Sequence, residues 1–360
     1  MDPTGLLADL HVTVRDGCGG PSLTGATMRA ILTCAFVLTA FASQPASAHD
    51  AVRHKGGLIV NVKKFGAYGD GEADDTAAIQ RAVDKAVAAG GGTVVVPAGT
   101  YMVNPVAHAN VGIRLGSNVT LTFRRGAILK AIANSSTNYA LISVQGAQNV
   151  TIRGGLLIGD RDVHTGTTGE WGNGVQVNGG SSNIKILGTV VRNCWGDGFY
   201  ISVARNVLLS GITSERNRRQ GLSIIGGEHI AVVRSTFRGT GGTSPELGID
   251  IEPNRGSVVQ HVKIELCNVS DNAGGGILVT VPTALINSVK VEDVTISRNK
   301  ISGNGRNTRH QGPISGIELY GVNGMKVIGN TVTGNLGRGI SISHGGVNSL
   351  VGNRVEGNSL

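Results

Sequence analysis

The densest grouping of chemically competent side chains lies in Gly248-Ile-Asp250-Ile-Glu252-Pro-Asn254, where two carboxylates alternate with apolar residues. In an extended strand, side chains two apart share a face, so Asp250 and Glu252 would project together from Cα atoms about 6.5 Å apart. Carboxylates that close push each other's proton affinities apart, so one can donate a proton while the other accepts one or attacks. That division of labour is the chemistry of glycosidic-bond hydrolysis. A third carboxylate, Asp197, stands in Trp195-Gly-Asp197-Gly198, and Asn217-Arg218-Arg219-Gln220 offers two guanidinium forks suited to carboxylated sugars. Upstream, Asp160-Arg-Asp-Val-His164 leads into Glu170-Trp171, and the two tryptophans of the chain, Trp171 and Trp195, supply indole faces on which a sugar ring stacks. These residues form one site only if the fold superimposes distant segments.

The repeat supplies that fold. With 56 Gly and 9 Pro in 360 residues, 40% apolar and 16% charged, the chain is not disordered, and a mainly helical protein would not tolerate so much glycine. A Gly-apolar-x-apolar pattern starts at Gly174, Gly198, Gly221, Gly248, Gly276, Gly316 and Gly339, in steps of 24, 23, 27, 28, 40 and 23 residues. A second short strand follows Asn118, Asn149, Asn183 and Asn206. No repeat could bury its apolar face alone. Stacked as coils about 4.8 Å apart, the repeats share one core, which predicts an all-β, single-stranded parallel β-helix. Asn217, Asn272 and Asn335, each four residues before a repeat glycine, are expected at left-handed turn positions, bonded to their counterparts one coil away. The outward column of the glycine strands then reads Gln176, Tyr200, Ser223, Asp250, Leu278, Glu318, with Asn178, Ser202, Ile225, Glu252, Thr280, Tyr320 beside it. Asp197 falls about 10 Å from Asp250 along this stack. A cleft with Asp250, Glu252 and Asp197 as catalytic acids, and Arg218, Arg219, Trp171, Trp195, Tyr200, His164 and Gln176 as sugar contacts, is the expectation.

Residues 61–103 precede the coils. Asp74, Asp75 and Thr76 offer a helix cap, Ile79, Ala82, Val83, Ala86 and Val87 recur at helical spacing, and Gly90 to Gly92 end the run. Such a helix would plug the first coil and shield its edges. In this segment, and more loosely through the coil repeat to Asn358, the sequence resembles the pectate lyase superfamily, in its polygalacturonase-like and epimerase-like branch. The resemblance implies a right-handed parallel β-helix (the pectin lyase-like fold) with an N-terminal capping α-helix, acting on polysaccharide.

The motifs depart from that branch in instructive ways. Asn193-Cys-Trp-Gly-Asp197-Gly-Phe-Tyr200 is similar to the polygalacturonase motif Asn-Thr-Asp-Gly-[Ile/Phe]-Asp at Asp197, but Tyr200 stands in place of the second Asp. The family's Asp-Asp, Gly-His-Gly and Arg-Ile-Lys motifs are absent, as is the Asp-Pro-His of alginate epimerases, and Ser343-His-Gly-Gly346 comes too late to substitute. Hydrolysis of an acidic or surface polysaccharide is the first expectation, with no cofactor. Elimination or epimerisation at C5 is the alternative, with Arg218, Arg219, His164 and Tyr200 serving and Asp197, Asp250 and Glu252 recast as Ca²⁺ ligands. A non-catalytic glycan-binding β-helix is the third.

The remaining signals concern compartment and partners. Met28 to Ala48 reads as one arginine, an apolar run and a small-residue cleavage site, which predicts a signal peptide cut after Ala48 and a secreted or periplasmic protein without a lasting membrane anchor. Residues 1–27 look like a leader from a misassigned start. The net charge of +8 is scattered, so the expected partner is an anionic polysaccharide and not nucleic acid. Cys194 and Cys267 lie three coils apart, too far for a disulfide, so both are expected as free buried thiols. The chain ends directly after a coil-like segment with no capping helix, from which either a final coil covered by a partner, as in a homo-oligomer through the C-terminal end, or a truncated chain is expected.

Overall fold

The protein is described by a computed structural model at residues 57–306, 312–346 and 348–359. The expected leader and signal peptide lie outside the described residues. No helix among the described residues is long and apolar enough to cross a membrane.

Three parallel sheets run along a right-handed β-helix. One begins with Ile59–Asn61, Gly92–Val96 and Val119–Phe123, a second with Asp70–Asp74, Gly99–Val103 and Ala127–Ala131, and a third with Val111–Leu115, Asn138–Gln145 and Trp171–Asn178. Each strand pairs with its equivalent one coil on. The third sheet carries the glycine-led strands in the expected register: Val175, Phe199, Leu222, Ile249 and Ile277 are successive partners, and all five are buried. Each such side chain contributes roughly 1.5–3 kcal/mol on burial, and stacking makes that core continuous.

The helix at the N-terminal end spans Thr76–Ala88 and buries Ile79, Ala82, Val83 and Ala86 against the first coil. Its cap differs from the simple reading. Asp74 accepts from the Thr76 N–H at 2.9 Å, whereas the Asp75 carboxylate turns back to accept from the N–H groups of Tyr68 (2.6 Å) and Gly69 (3.0 Å). Burial pushes the proton affinity of Asp75 up against those two bonds. At the other end, Gly91 N–H returns to the Ala86 carbonyl at 2.9 Å, closing the last turn.

Two kinds of asparagine ladder hold the turns, and they correct the sequence reading. The left-handed positions belong to Asn118, Asn149, Asn183 and Asn206, with φ between 52° and 62°, whose side chains bond in series at 2.9, 3.1 and 3.1 Å. Asn217, Asn272 and Asn335 are not left-handed. They are buried at the corner before the third sheet, where Asn272, Asn304, Asn335 and Asn358 form a second series with amide-to-carbonyl distances of 2.9 Å. Asn217 instead bonds Ser214 Oγ at 2.8 Å and receives the Cys194 N–H at 3.0 Å. The stacked valines and this inner ladder together leave no room at the repeat glycine: a Cβ on Gly248 or Gly316 would lie 2.4 Å from Val269 or Val332 Cγ1 and 2.8 Å from the ladder amide of Asn272 or Asn335. Close approach, rather than an unusual φ, excludes a side chain there. Cys194 and Cys267 are free and buried.

Candidate active site on the third sheet

Asp250 occupies the middle of the strand Ile249–Ile251, and its register partners are Ser223 in the preceding coil and Leu278 in the next. Its side chain points away from the apolar core, yet it is fully buried by its neighbours. Gln220 Nε2 donates to Oδ2 at 2.7 Å, and Gln220 Oε1 in turn accepts the Leu247 N–H at 2.7 Å. Oδ1 has no hydrogen-bond partner among the described residues. Burial first, then the adjacent Glu252 charge, holds the Asp250 proton affinity well above the usual carboxylate range.

Asp197 sits at the corner before Phe199–Ile201, two coils from Asp250, and is also fully buried. Ser223, in the intervening coil, donates from Oγ to Asp197 Oδ2 at 2.7 Å. Arg219 Nη1 approaches the two Asp197 oxygens at 3.4 and 3.3 Å, while Arg219 Nε reaches Glu170 Oε2 at 3.2 Å. Burial raises the Asp197 pKa, but Arg219 and Ser223 oppose it, leaving the value at about 6. Arg219 is itself mostly covered, and the acids Asp197, Asp250 and Glu170 overcome the cost of that burial and hold it charged. The third sheet therefore brings together two buried carboxyls of raised proton affinity, with a guanidinium paired to Asp197.

Several expected sugar contacts have other partners. His164 is shut away: its Nδ1 lies 2.7 Å from Asp160 Oδ2, its side chain is inaccessible, and its ring stacks on Trp195 with centroids 3.9 Å apart. Asp160 is buried and is also bonded by Tyr139 and by Asn134 Nδ2. The Arg218 guanidinium covers Trp195 at 3.8 Å from the ring centroid and donates to the Gly169 carbonyl at 2.8 Å. Two groups this near one centroid must lie on opposite faces, so neither face of Trp195 is open to a sugar. The reason is local: the segment 159–170 folds down on the stack, and a buried acid and a cation claim the polar groups nearest to them. Trp171 is the indole that remains available, at 47% exposed. Gln176 and Tyr200 are half-buried register partners in the same outward column as Ser223 and Asp250. Burial raises the Tyr200 pKa, with Asp197 reinforcing it.

The positioning residues Gln220, Ser223 and Glu170 were not assigned roles from the sequence. Ser223 stood in the outward column beside Asp250, and its column was the signal available; the bond from Gln220 to an acid one coil on had none. Beyond Asp250, the outward column continues to Glu318 and Tyr320, which with Glu252 line a cavity of about 440 Å³. Among the described residues, no three His, Cys, Asp or Glu side chains are grouped as metal ligands.

The architecture and the buried acids of its third sheet define a right-handed parallel β-helix protein with a candidate acid–base centre on one flank. Residues 59–277 match the family model described as "Rhamnogalacturonase A/epimerase, pectate lyase-like", and residues 261–359 match "Right handed beta helix region". The chain belongs to the rhamnogalacturonase A/epimerase, pectate lyase-like family. It is 32% identical over 222 residues to the uncharacterized protein YclG of Bacillus subtilis (strain 168), covering 54% of this chain and 38% of that protein. It is 36% identical over 148 residues to mannuronan C5-epimerase AlgE4 of Azotobacter vinelandii, covering 39% of this chain and 27% of that one. The chain spans less than half the length of the curated relatives it first matches. Among solved structures, a hyperthermoactive exopolygalacturonase from Thermotoga maritima superimposes with a TM-score of 0.61 at 17% identity, over 79% of this chain and 75% of that one. The AlgE4 A-module of Azotobacter vinelandii gives 0.52 at 19% identity, over 83% and 98%. At such identities, the structural likeness speaks to the fold alone.

Proposed function

We infer that the chain is a polysaccharide-cleaving enzyme of the hydrolase type, with Asp250 as proton donor and Asp197 as base. One observation carries this reading: Asp250 is buried beside other acids with one oxygen engaged by Gln220 and the other unpartnered. A carboxyl that holds a proton in that setting carries it on the unpartnered oxygen, which in this reading reaches a leaving glycosidic oxygen only once the groups covering it move aside. Asp197, eased toward ionisation by Arg219 and Ser223, is the group able to accept a proton from water or attack the sugar itself. Glu252 stands near enough to raise Asp250 and shares the acidic flank. Trp171, Tyr200 and Gln176 would receive the sugar rings, and an acidic polysaccharide fits the basic chain. The apolar run from Ala30 to Ala42, followed by the small-residue site Ala46-Ser47-Ala48, supports action outside the cytoplasm.

A second reading, elimination or C5-epimerisation, is favoured by the identity shared with a protein named mannuronan C5-epimerase. Tyr200 would then be the base, with Ca²⁺ an added requirement. Incubation with a panel of acidic and neutral polysaccharides separates the two. Hydrolysis releases reducing ends without ultraviolet absorbance; elimination gives an absorbing unsaturated product; epimerisation changes the C5 proton signals without cleavage. A chelator that abolishes activity would favour the second reading, and new reducing ends that form without ultraviolet absorbance and are lost in Asp250→Asn would support the first.

A further inference from the structure

Asp197 and Asp250 are fully buried, so a polymer cannot reach either acid in the closed molecule. Against the Asp197 corner lies Thr165-Gly166-Thr167-Thr168-Gly169-Glu170, a run without one apolar side chain. Its flanks are fixed. Upstream, buried Asp160 is engaged by Tyr139, by Asn134 Nδ2 at 2.7 Å and by His164 Nδ1 at 2.7 Å; downstream, Trp171 opens the strand Trp171–Asn178. The run between them is held by polar ties. The Thr165 N–H donates to the Asn134 carbonyl at 2.9 Å, Arg218 Nη1 donates to the Gly169 carbonyl at 2.8 Å, and Arg219 Nε reaches Glu170 Oε2 at 3.2 Å. A surface segment that buries no apolar side chain belongs to the part of a fold that opens most easily.

The run nevertheless lies flush on the coil. A Cβ on Gly196, beside Asp197, would fall 2.5 Å from the Glu170 carbonyl oxygen, and one on Gly166 would fall 2.8 Å from His164 Nε2 and 2.9 Å from the Ser135 carbonyl oxygen. Closure leaves His164 Nε2 buried without a hydrogen-bond partner among the described residues, a cost that water relieves on opening. The last tie of the run falls on Arg219, which is paired to Asp197 and whose charge also faces Asp250.

We propose that residues 165–170 are a strap closed over the acid centre and latched by Glu170 on Arg219, and that a glycan seats only when the strap has lifted. Lifting takes Glu170 from Arg219, frees the guanidinium to swing off Asp197, and uncovers the Trp195-Gly196-Asp197 corner. A ligand that binds only the open form has its apparent affinity reduced by the fraction of chains that are closed, so loosening the latch tightens binding. This rests on the reading that the third sheet binds a glycan, but not on the reaction performed there.

Amide hydrogen exchange on the full chain reads the strap directly, with Glu170→Ala and Gly166→Ala as two unlike ways of loosening it. The first removes the latch; the second adds a methyl group that collides with His164 and Ser135 in the closed form and changes no charge. Exchange in 165–170, at Thr165 above all, is expected to quicken about tenfold in both variants, with Phe199–Ile201 unmoved. Titration calorimetry then follows hexagalacturonate and neutral cellohexaose on chains that also carry Asp250→Asn, so that no probe is consumed. At least one probe is expected to bind about three- to tenfold more tightly with Gly166→Ala than without it. Unaltered exchange in either variant, or binding left equal or weakened by Gly166→Ala, overturns the strap. No binding of either probe to any variant overturns the strap and the glycan reading together, whereas quickened exchange with equal binding loses the strap alone. Cleavage by the unsubstituted chain is followed separately by reducing ends; a chain whose binding tightens as expected but which releases none loses only the hydrolase reading.

Discussion

Gln220 donates to Asp250 from the preceding coil at 2.7 Å, occupying Oδ2 and leaving Oδ1 buried without a partner. Burial first, then the adjacent Glu252 charge, favours the neutral form of that acid. Asp250→Asn preserves the acceptor for Gln220 and removes the transferable proton. Activity is expected to fall about 10²- to 10⁴-fold with the thermal midpoint unchanged or raised. Reducing-end release beside thermal unfolding checks both; a variant that keeps its activity would move the chemistry away from Asp250.

With Asp197 as the base of the proposed reaction, its titration sets the acidic limb of activity. Asp197 titrates at about 6, so kcat/KM is expected to rise through that pH as the carboxylate forms. Ser223 favours the ionised form through its hydroxyl. Ser223→Ala should therefore shift the limb upward, whereas a shift downward would contradict the assignment. A pH series of initial rates on both proteins decides.

The same groups link stability to pH. Between the ordinary Asp value of 3.8 and about 6, folded Asp197 retains a proton that the unfolded chain has released, so stability falls as pH rises through that window. The loss is about 3 kcal/mol for Asp197 by the unit conversion, with Asp250 acting in the same direction. Exposed Asp70 and Asp293, whose pKa values are lowered, oppose it weakly. Urea midpoints are expected to be higher at pH 5 than at pH 7.5, by a smaller margin in Asp250→Asn.

The inner ladder gives a purely structural prediction. Asn304 donates to Asn335 Oδ1 at 2.9 Å and accepts from Asn272, so its loss strands buried groups in two coils. Asn304→Ala is expected to cost about 3 kcal/mol in urea unfolding.

Burial pushes the Cys267 thiol up to about 11 and raises Cys194 further. In a chain lacking residues 1–48, a thiol reagent should find two reactive groups after denaturation without reductant and essentially none before. Fewer than two would point to a disulfide.

The coil repeat was legible because a parallel stack imposes its period on the chain: the glycine spacing and the alternation behind it placed Tyr200, Ser223 and Asp250 in one column, where register pairs them. The strand alternation also placed Asp250 and Glu252 on the same side. Local pattern extended less far at the corners. It marked asparagines there but not that the left-handed turns belong to Asn118 and its successors, while Asn272 and Asn335 are buried. Tertiary structure decided who partners whom. His164 and Trp195 read as open sugar contacts until the segment above them packed down, and Arg219 read as a uronate clamp until Asp197 and Glu170 engaged it. The physical reason is that strand period follows from steric and apolar forces acting along the chain, whereas burial and ion pairing depend on which loops close over a given coil, and no short-range pattern encodes that.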